Sequence, residues 1–216
     1  MPIYRVKEKI VFFSHIPKTG GTSIEKVLRS AGQEGLYNKR RGQGFIVPPQ
    51  HFDNIQMRYL FSDEKIFDYC FAVVRDPLNR MISEYFHRNR GILKESLFER
   101  IRGRITHECL ELKFARHFDA WVDQSLNKWV NNRNYLSNHL TPQVDFIGGG
   151  FKIFIFENGF SSIVDGLSKD LNIYLPPITH ENKSKRYPFE PNEQTKAVIR
   201  EFYAADYDMF YPISSS

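Results

Sequence analysis

The chain has little of what marks several large protein classes. Its 216 residues include two cysteines, Cys70 and Cys109, and Cys70 sits inside an apolar run. That excludes a disulfide-stapled framework and points to a reducing compartment, so a cytoplasmic location is expected. No apolar stretch approaches the roughly 20 residues a membrane span needs. Histidines and cysteines do not fall at zinc-ligand spacing, so no metal is expected. No repeat or low-complexity tract occurs apart from the tail Ser214-Ser215-Ser216. Also missing is the phosphate-loop order G-x-x-x-x-G-K-[ST], in which lysine follows the glycines, and ATP hydrolysis is disfavoured with it.

What is present suits one domain over 1–216, with its core over about 10–211. Hydrophobic residues make up 41%, enough for a sizeable core, and the formal charge of +5 suits an anionic ligand. Basic clusters lie at Lys39-Arg40-Arg41, Arg100-Arg102-Arg104 and Lys183-Lys185-Arg186. No nucleic-acid module accompanies them.

The densest signal begins at Ile10. Ile10-Val11-Phe12-Phe13 reads as a buried strand, Pro17 stops it, Gly20-Gly21 free the backbone, and Thr22-Ser23 open an amphipathic helix ending near Arg29. A glycine turn feeding a helix start favours an anion, because free N–H groups and the helix dipole both point at it. Lys18, Thr19, Thr22 and Ser23 add a cation and three hydroxyls. A second unit repeats the design: Tyr69-Cys70-Phe71-Ala72-Val73-Val74 reads as a strand buried on both faces, and Arg75-Asp76-Pro77 leads into a helix carrying Arg80, Ser83, Tyr85 and His87. Arg75 at a strand's carboxyl end would be a forked, permanently charged donor, with Ser83 a hydroxyl on the following helix; Arg80 reads as structural.

His15-Ile16-Pro17-Lys18-Thr19-Gly20-Gly21-Thr22-Ser23 resembles the 5′-phosphosulfate loop of sulfotransferases that use 3′-phosphoadenosine 5′-phosphosulfate (PAPS), particularly the heparan sulfate 2-O- and 6-O-sulfotransferase branch. Val74 to Tyr85 is similar to that family's 3′-phosphate motif, R-D-P-x-x-R-x-x-S-x-[YW]. The resemblance implies a P-loop-like α/β fold, a central and mostly parallel sheet flanked by helices, with PAPS or its product PAP across the strand ends. It implies Lys18, Thr19, Gly20, Gly21, Thr22 and Ser23 around the 5′-phosphate and Arg75 with Ser83 on the 3′-phosphate. A late basic loop closes over the nucleotide in relatives, which puts Lys185 and Arg186 there, although a solvated charge run reads equally well. Chain starts this close to the first strand suit the soluble, microbial type rather than the anchored Golgi relatives.

Relatives of the 2-O and 6-O type take the acceptor proton with a histidine from the segment after the first helix. Here the irregular stretch Gly32 to Phe52 holds His51, whose ordinary pKa suits proton transfer near neutrality. His15 reads as a packing residue beneath the loop and His87 as a substrate contact. Carboxylate bases, as in other branches, would be Glu34 or Asp53. Asn131 to Leu136 resembles a cleft-lining N-x-x-x-x-L segment, with Asn132 and Arg133 available to a glycan, but reads equally as an Asn-rich helix start. The expected function is sulfuryl transfer from PAPS to a hydroxyl, on a carbohydrate acceptor, without a metal. Two alternatives stand beside it: a nucleotide-dependent kinase and a non-catalytic binder of anionic glycans.

Overall fold

A computed structural model describes residues 2–35, 44–61, 64–178 and 187–212. Five strands form one sheet in the order β3-β1-β2-β4-β5. They are β1 (Ile3–Val6), β2 (Lys9–Ser14), β3 (Gln33–Glu34), β4 (Tyr69–Val74) and β5 (Lys152–Ile155). β2, β4 and β5 run parallel, with Ser14 opposite Ala72 and Val74 opposite Ile155. β1 is antiparallel to both β2 and β3. The sheet is therefore mixed rather than mostly parallel. The segment before Ile10, left outside the expected core, forms β1, which leads through a turn at Lys7 into β2 and buries Tyr4 and Val6.

Period-two alternation sorts the strand residues to two faces. Val11, Phe13, Phe71 and Val73 pack against α1 (Gly21–Ala31) and, later in the chain, α6 (Gly159–Leu171), through Ile24, Leu28, Ile163 and Leu167. Phe12 faces the other way, onto Val47, Phe52, Met57 and Phe67, while Ala72 and Val74 meet Ile16 and Phe146. Each fully buried side chain of this size contributes about 1.5–3 kcal/mol, so the two sheet faces dominate over local propensity.

A second core lies beside the sheet. It joins α3 (Pro77–Arg88), α4 (Arg90–Ile101), α5 (His107–Asn131) and α7 (Glu193–Phe202) around Met81, Tyr85, Phe86, Phe114, Phe118, Trp129, Ile199 and Tyr203. Two short helices, α2 (Asn54–Leu60) and α8 (Ala204–Phe210), complete the described architecture. Helix α5 runs unbroken from His107 to Asn131, and Asn131-Asn132 end it rather than begin a helix. No helix among the described residues is long and apolar enough to cross a membrane.

Candidate active site

Parallel pairing of β2 with β4 sets the carboxyl ends of two strands side by side, and both phosphate-type motifs follow from those ends. After β2, Lys18 takes a left-handed backbone at φ 71°, sparsely populated for any residue with a Cβ. Gly20 follows at φ 84° and is the N-cap of α1. A Cβ on Gly20 would stand 2.7 Å from the Phe160 ring, and one on Gly21 2.3 Å from Nε2 of His15. Bare backbone is thus required at both positions. No side chain caps α1 and no acidic residue enters its first turn, so the positive end of the helix keeps its field for an anion. Thr22 is exposed and Ser23 buried. Thr19 differs from its expected role, because its hydroxyl is fully buried and donates to the Ile16 carbonyl at 2.9 Å, committing its proton to the loop itself.

Arg75 follows β4 and reaches the same loop. Its Nη1 donates to the Lys18 carbonyl at 3.2 Å, and its guanidinium lies 4.5 Å from the centroid of the Phe156 ring. Its backbone is fixed by Gln143, which accepts from the Arg75 N–H at 2.9 Å and donates to the Arg75 carbonyl at 2.8 Å. Asp206, itself fully buried, accepts from the Gln143 and Val144 N–H groups at 2.9 and 3.0 Å. Burial pushes the Asp206 carboxyl above its usual range. Asp76 caps α3 through Asn79 N–H, and its own N–H is held by Glu157, whose role is therefore architectural. Ser83 is buried on α3. Arg80 works inside the fold: Nε donates to the Pro17 carbonyl at 3.1 Å, and Nη2 to the carbonyls of His139 and Thr141 at 2.9 Å each.

Next to this double loop the chain assembles four histidines. His15 hydrogen-bonds Glu25 of α1 through Nδ1, with Gln50 donating to the same carboxylate at 3.0 Å. Burial lowers the His15 pKa against the opposing pull of Glu25. His51 ends a 3-10 turn (Pro49–His51) started by Pro48-Pro49. Its ring meets His15 edge-on at 5.1 Å between centroids and His139 at 4.8 Å, and His139 stacks on His87 at 6.1 Å. Nδ1 of His51 lies 3.4 Å from the His15 carbonyl, which can only accept; the proton belongs on Nδ1 and the lone pair on Nε2. The His51 ring keeps some exposed surface, yet the atoms packed around it hold its pKa well below the ordinary value, through burial and then His139 and His15. His87 is lowered to about 4 by burial and by Lys18, which places Lys18 within electrostatic reach of the cluster.

Other expected residues sit elsewhere. Glu34 lies on the edge strand β3 and pairs with Arg29 at 2.8 Å. Asp53 caps α2 through Gln56 N–H at 2.8 Å. Each carboxylate is engaged by local structure. Asn132 accepts from Asn134 N–H, and Arg133 stacks on Trp129 at 3.9 Å. Lys185 and Arg186 fall outside the described residues. Among the described residues no group of three or more His, Cys, Asp or Glu side chains is placed to hold a metal ion.

Sequence reasoning missed His139, Glu25, Glu84, Gln143 and Asp206. Only Glu84 had a signal, standing beside Ser83 in the second motif; the others meet their partners across stretches of chain from His15–Glu25 to His51–His139 that no local motif spans. Two adjacent parallel strand ends carry a lysine turn and an arginine on a mixed α/β sheet, side by side at one edge of the fold. The sulfotransferase family profile matches residues 3–212, and the chain belongs to that family of sulfuryl-transferring enzymes. No curated protein and no solved structure matches the chain.

Proposed function

We propose that this sulfotransferase draws its sulfuryl group from PAPS and delivers it to a hydroxyl of a carbohydrate acceptor, with His51 as the base. The single observation that carries this reading is the contact of Arg75 with the Lys18 loop, beside the His51 cluster and at one end of the sheet. The cradle suits the donor, since Gly20 and Gly21 leave main chain where a phosphate must approach and no side chain occupies the cap of α1. When bound, PAPS supplies an activated sulfuryl group and the 3′-phosphate that ATP lacks.

The chain's own residues then divide the work. Thr22, Ser23 and the first-turn N–H groups meet the 5′-phosphate, while Arg75 and Ser83 take the 3′-phosphate. Lys18 stabilises charge that grows on the bridging oxygen as the bond to sulfur breaks, a preorganised charge at the point of need. Nε2 of His51 accepts the proton of the acceptor hydroxyl as that oxygen attacks in line. Isothermal titration with adenosine 3′,5′-bisphosphate and with ATP, each with and without Mg²⁺, tests the reading. A metal-independent preference for the bisphosphate is expected; equal binding, or an ATP preference that needs Mg²⁺, would sink it in favour of kinase chemistry.

A further inference from the structure

The turn that follows α5 carries three consecutive non-glycine residues in left-handed backbone: Leu136, Ser137 and Asn138, at φ 55°, 57° and 66°. Such a run is disfavoured for residues with a Cβ and persists where surrounding contacts over-determine it. Here those contacts come from α3 and α2. Arg88 reaches the Leu136 carbonyl at 3.3 Å, Arg80 the His139 carbonyl at 2.9 Å, and Asn138 Nδ2 donates to Gln56 Oε1 at 2.9 Å.

What the turn presents is aimed at His51. Asn138 Nδ2 also donates to the His51 carbonyl at 3.0 Å, and the His139 ring stands edge-on to the His51 ring at an interplanar angle of 79°. His139 is pinned from behind: its Nδ1 donates to Glu84 Oε2 at 2.8 Å, and Glu84, 1% exposed, takes Arg88 Nε on its other oxygen at 2.6 Å. We infer that His139, held by Glu84, is a positioning residue for His51: the turn 136–139 grips His51 by its carbonyl and by its ring, keeping Nδ1–H on the His15 carbonyl and Nε2 as the proton acceptor. The inference rests on the reading of His51 as base.

Two sets of titratable groups face His51. His15 lies on one side with Glu25 of α1 behind it; His139 lies on the other with Glu84 and Arg88 of α3 behind it and His87 beyond. Taking away the His139 ring removes a neighbour that disfavours charge on His51 and lets water in, and both effects raise the His51 midpoint.

The test uses the whole chain with ¹⁵N-labelled histidine and saturating adenosine 3′,5′-bisphosphate, read by long-range ¹H–¹⁵N spectra through a pH titration. His139→Asn places an amide nitrogen where Nδ1 stood, so Glu84 keeps a donor. The expected result is a His51 midpoint raised by about one pH unit and a larger share of the Nε2–H tautomer. Asn138→Gly keeps the left-handed backbone while releasing the carbonyl grip, and the same tautomer change is expected if His139→Asn fails to fold. An unchanged His51 midpoint and tautomer overturn the inference. The transfer assay on His51→Ala separates the two ideas: activity retained there removes the base, whereas activity lost with an unmoved His51 spectrum in the turn variants removes only the positioning role.

Discussion

Nη1 of Arg75 donates to the carbonyl oxygen of Lys18 at 3.2 Å, tying the residue that follows one strand to the loop that follows its parallel neighbour. The lysine proposed to act at the sulfuryl centre and the arginine proposed for the 3′-phosphate are therefore one mechanical unit. Gln143 and Asp206 fix the backbone of that unit from beneath.

Arg75→Ala should weaken adenosine 3′,5′-bisphosphate binding by about 1.5–3 kcal/mol, the worth of charge-assisted bonds to one phosphate. Affinity for adenosine 5′-phosphosulfate, which lacks that phosphate, should change far less. Calorimetry on both ligands checks this; equal losses would mean that Arg75 acts only by holding the Lys18 loop.

Lys18→Ala keeps a Cβ at the left-handed position, so the loop carries the same backbone strain and only the ammonium is lost. Charge on the bridging oxygen develops in the transition state, and turnover should fall about 10²-fold or more while bisphosphate affinity falls much less. A defect confined to binding, in titration and single-turnover experiments with labelled PAPS, would refute the leaving-group role.

His51→Ala should fold and bind the bisphosphate normally yet lose roughly 10²–10⁴-fold in sulfuryl transfer to an acceptor hydroxyl under single-turnover conditions. Because burial and two histidine neighbours lower the His51 pKa, the wild-type enzyme should hold its rate into mildly acidic solution and lose it only as His51 protonates. That acidic limb should vanish in the residual activity of the variant. Near-normal turnover would take His51 out of the chemistry, leaving His87 as the next candidate.

Glu84 makes stability depend on pH. Burial alone would raise its pKa, but His139 and Arg88 outweigh burial and hold it below the carboxylate range, from an ordinary value of 4.5. A depressed folded-state pKa means that the stabilisation is full above 4.5 and is lost as pH falls below it, because the unfolded chain binds the proton first. Glu84→Gln should cost about 1.5–3 kcal/mol at neutral pH, since Arg88 and His139 lose their charged acceptor. The gap between wild type and variant, measured by urea unfolding at a series of pH values, should narrow as the solution is acidified; a constant gap would show that Glu84 is not ionised in the fold.

Sequence alone determined the two strand-turn-helix units, β2 with its lysine-glycine turn and α1, and β4 with Arg75 and α3. In each, the chemistry and the local structure are written in neighbouring residues: an apolar run, a breaker, and a helix start within about a dozen positions. The segment at Tyr69 to Val74 is a strand with those bounds, because a run buried on both faces needs no partner to reveal it. The charged opening segment hid β1, whose burial comes from pairing with β2 and β3 and from packing of Tyr4 and Val6 into the core beneath α1 and α6. Tertiary structure alone decided which histidines share a site. His15, His51, His87 and His139 come from a strand end, a 3-10 turn, a helix and a left-handed turn, and no local period relates them. It decided the fate of the carboxylates as well: Glu84 and Glu25 are drawn inward by histidine partners distant in the chain, while Glu34 and Asp53 are taken up by an ion pair and a helix cap. Ionisable groups acquire their roles from what desolvates and faces them, and in this chain those neighbours are assembled by parallel strand pairing and the packing of α3 against the turn after α5.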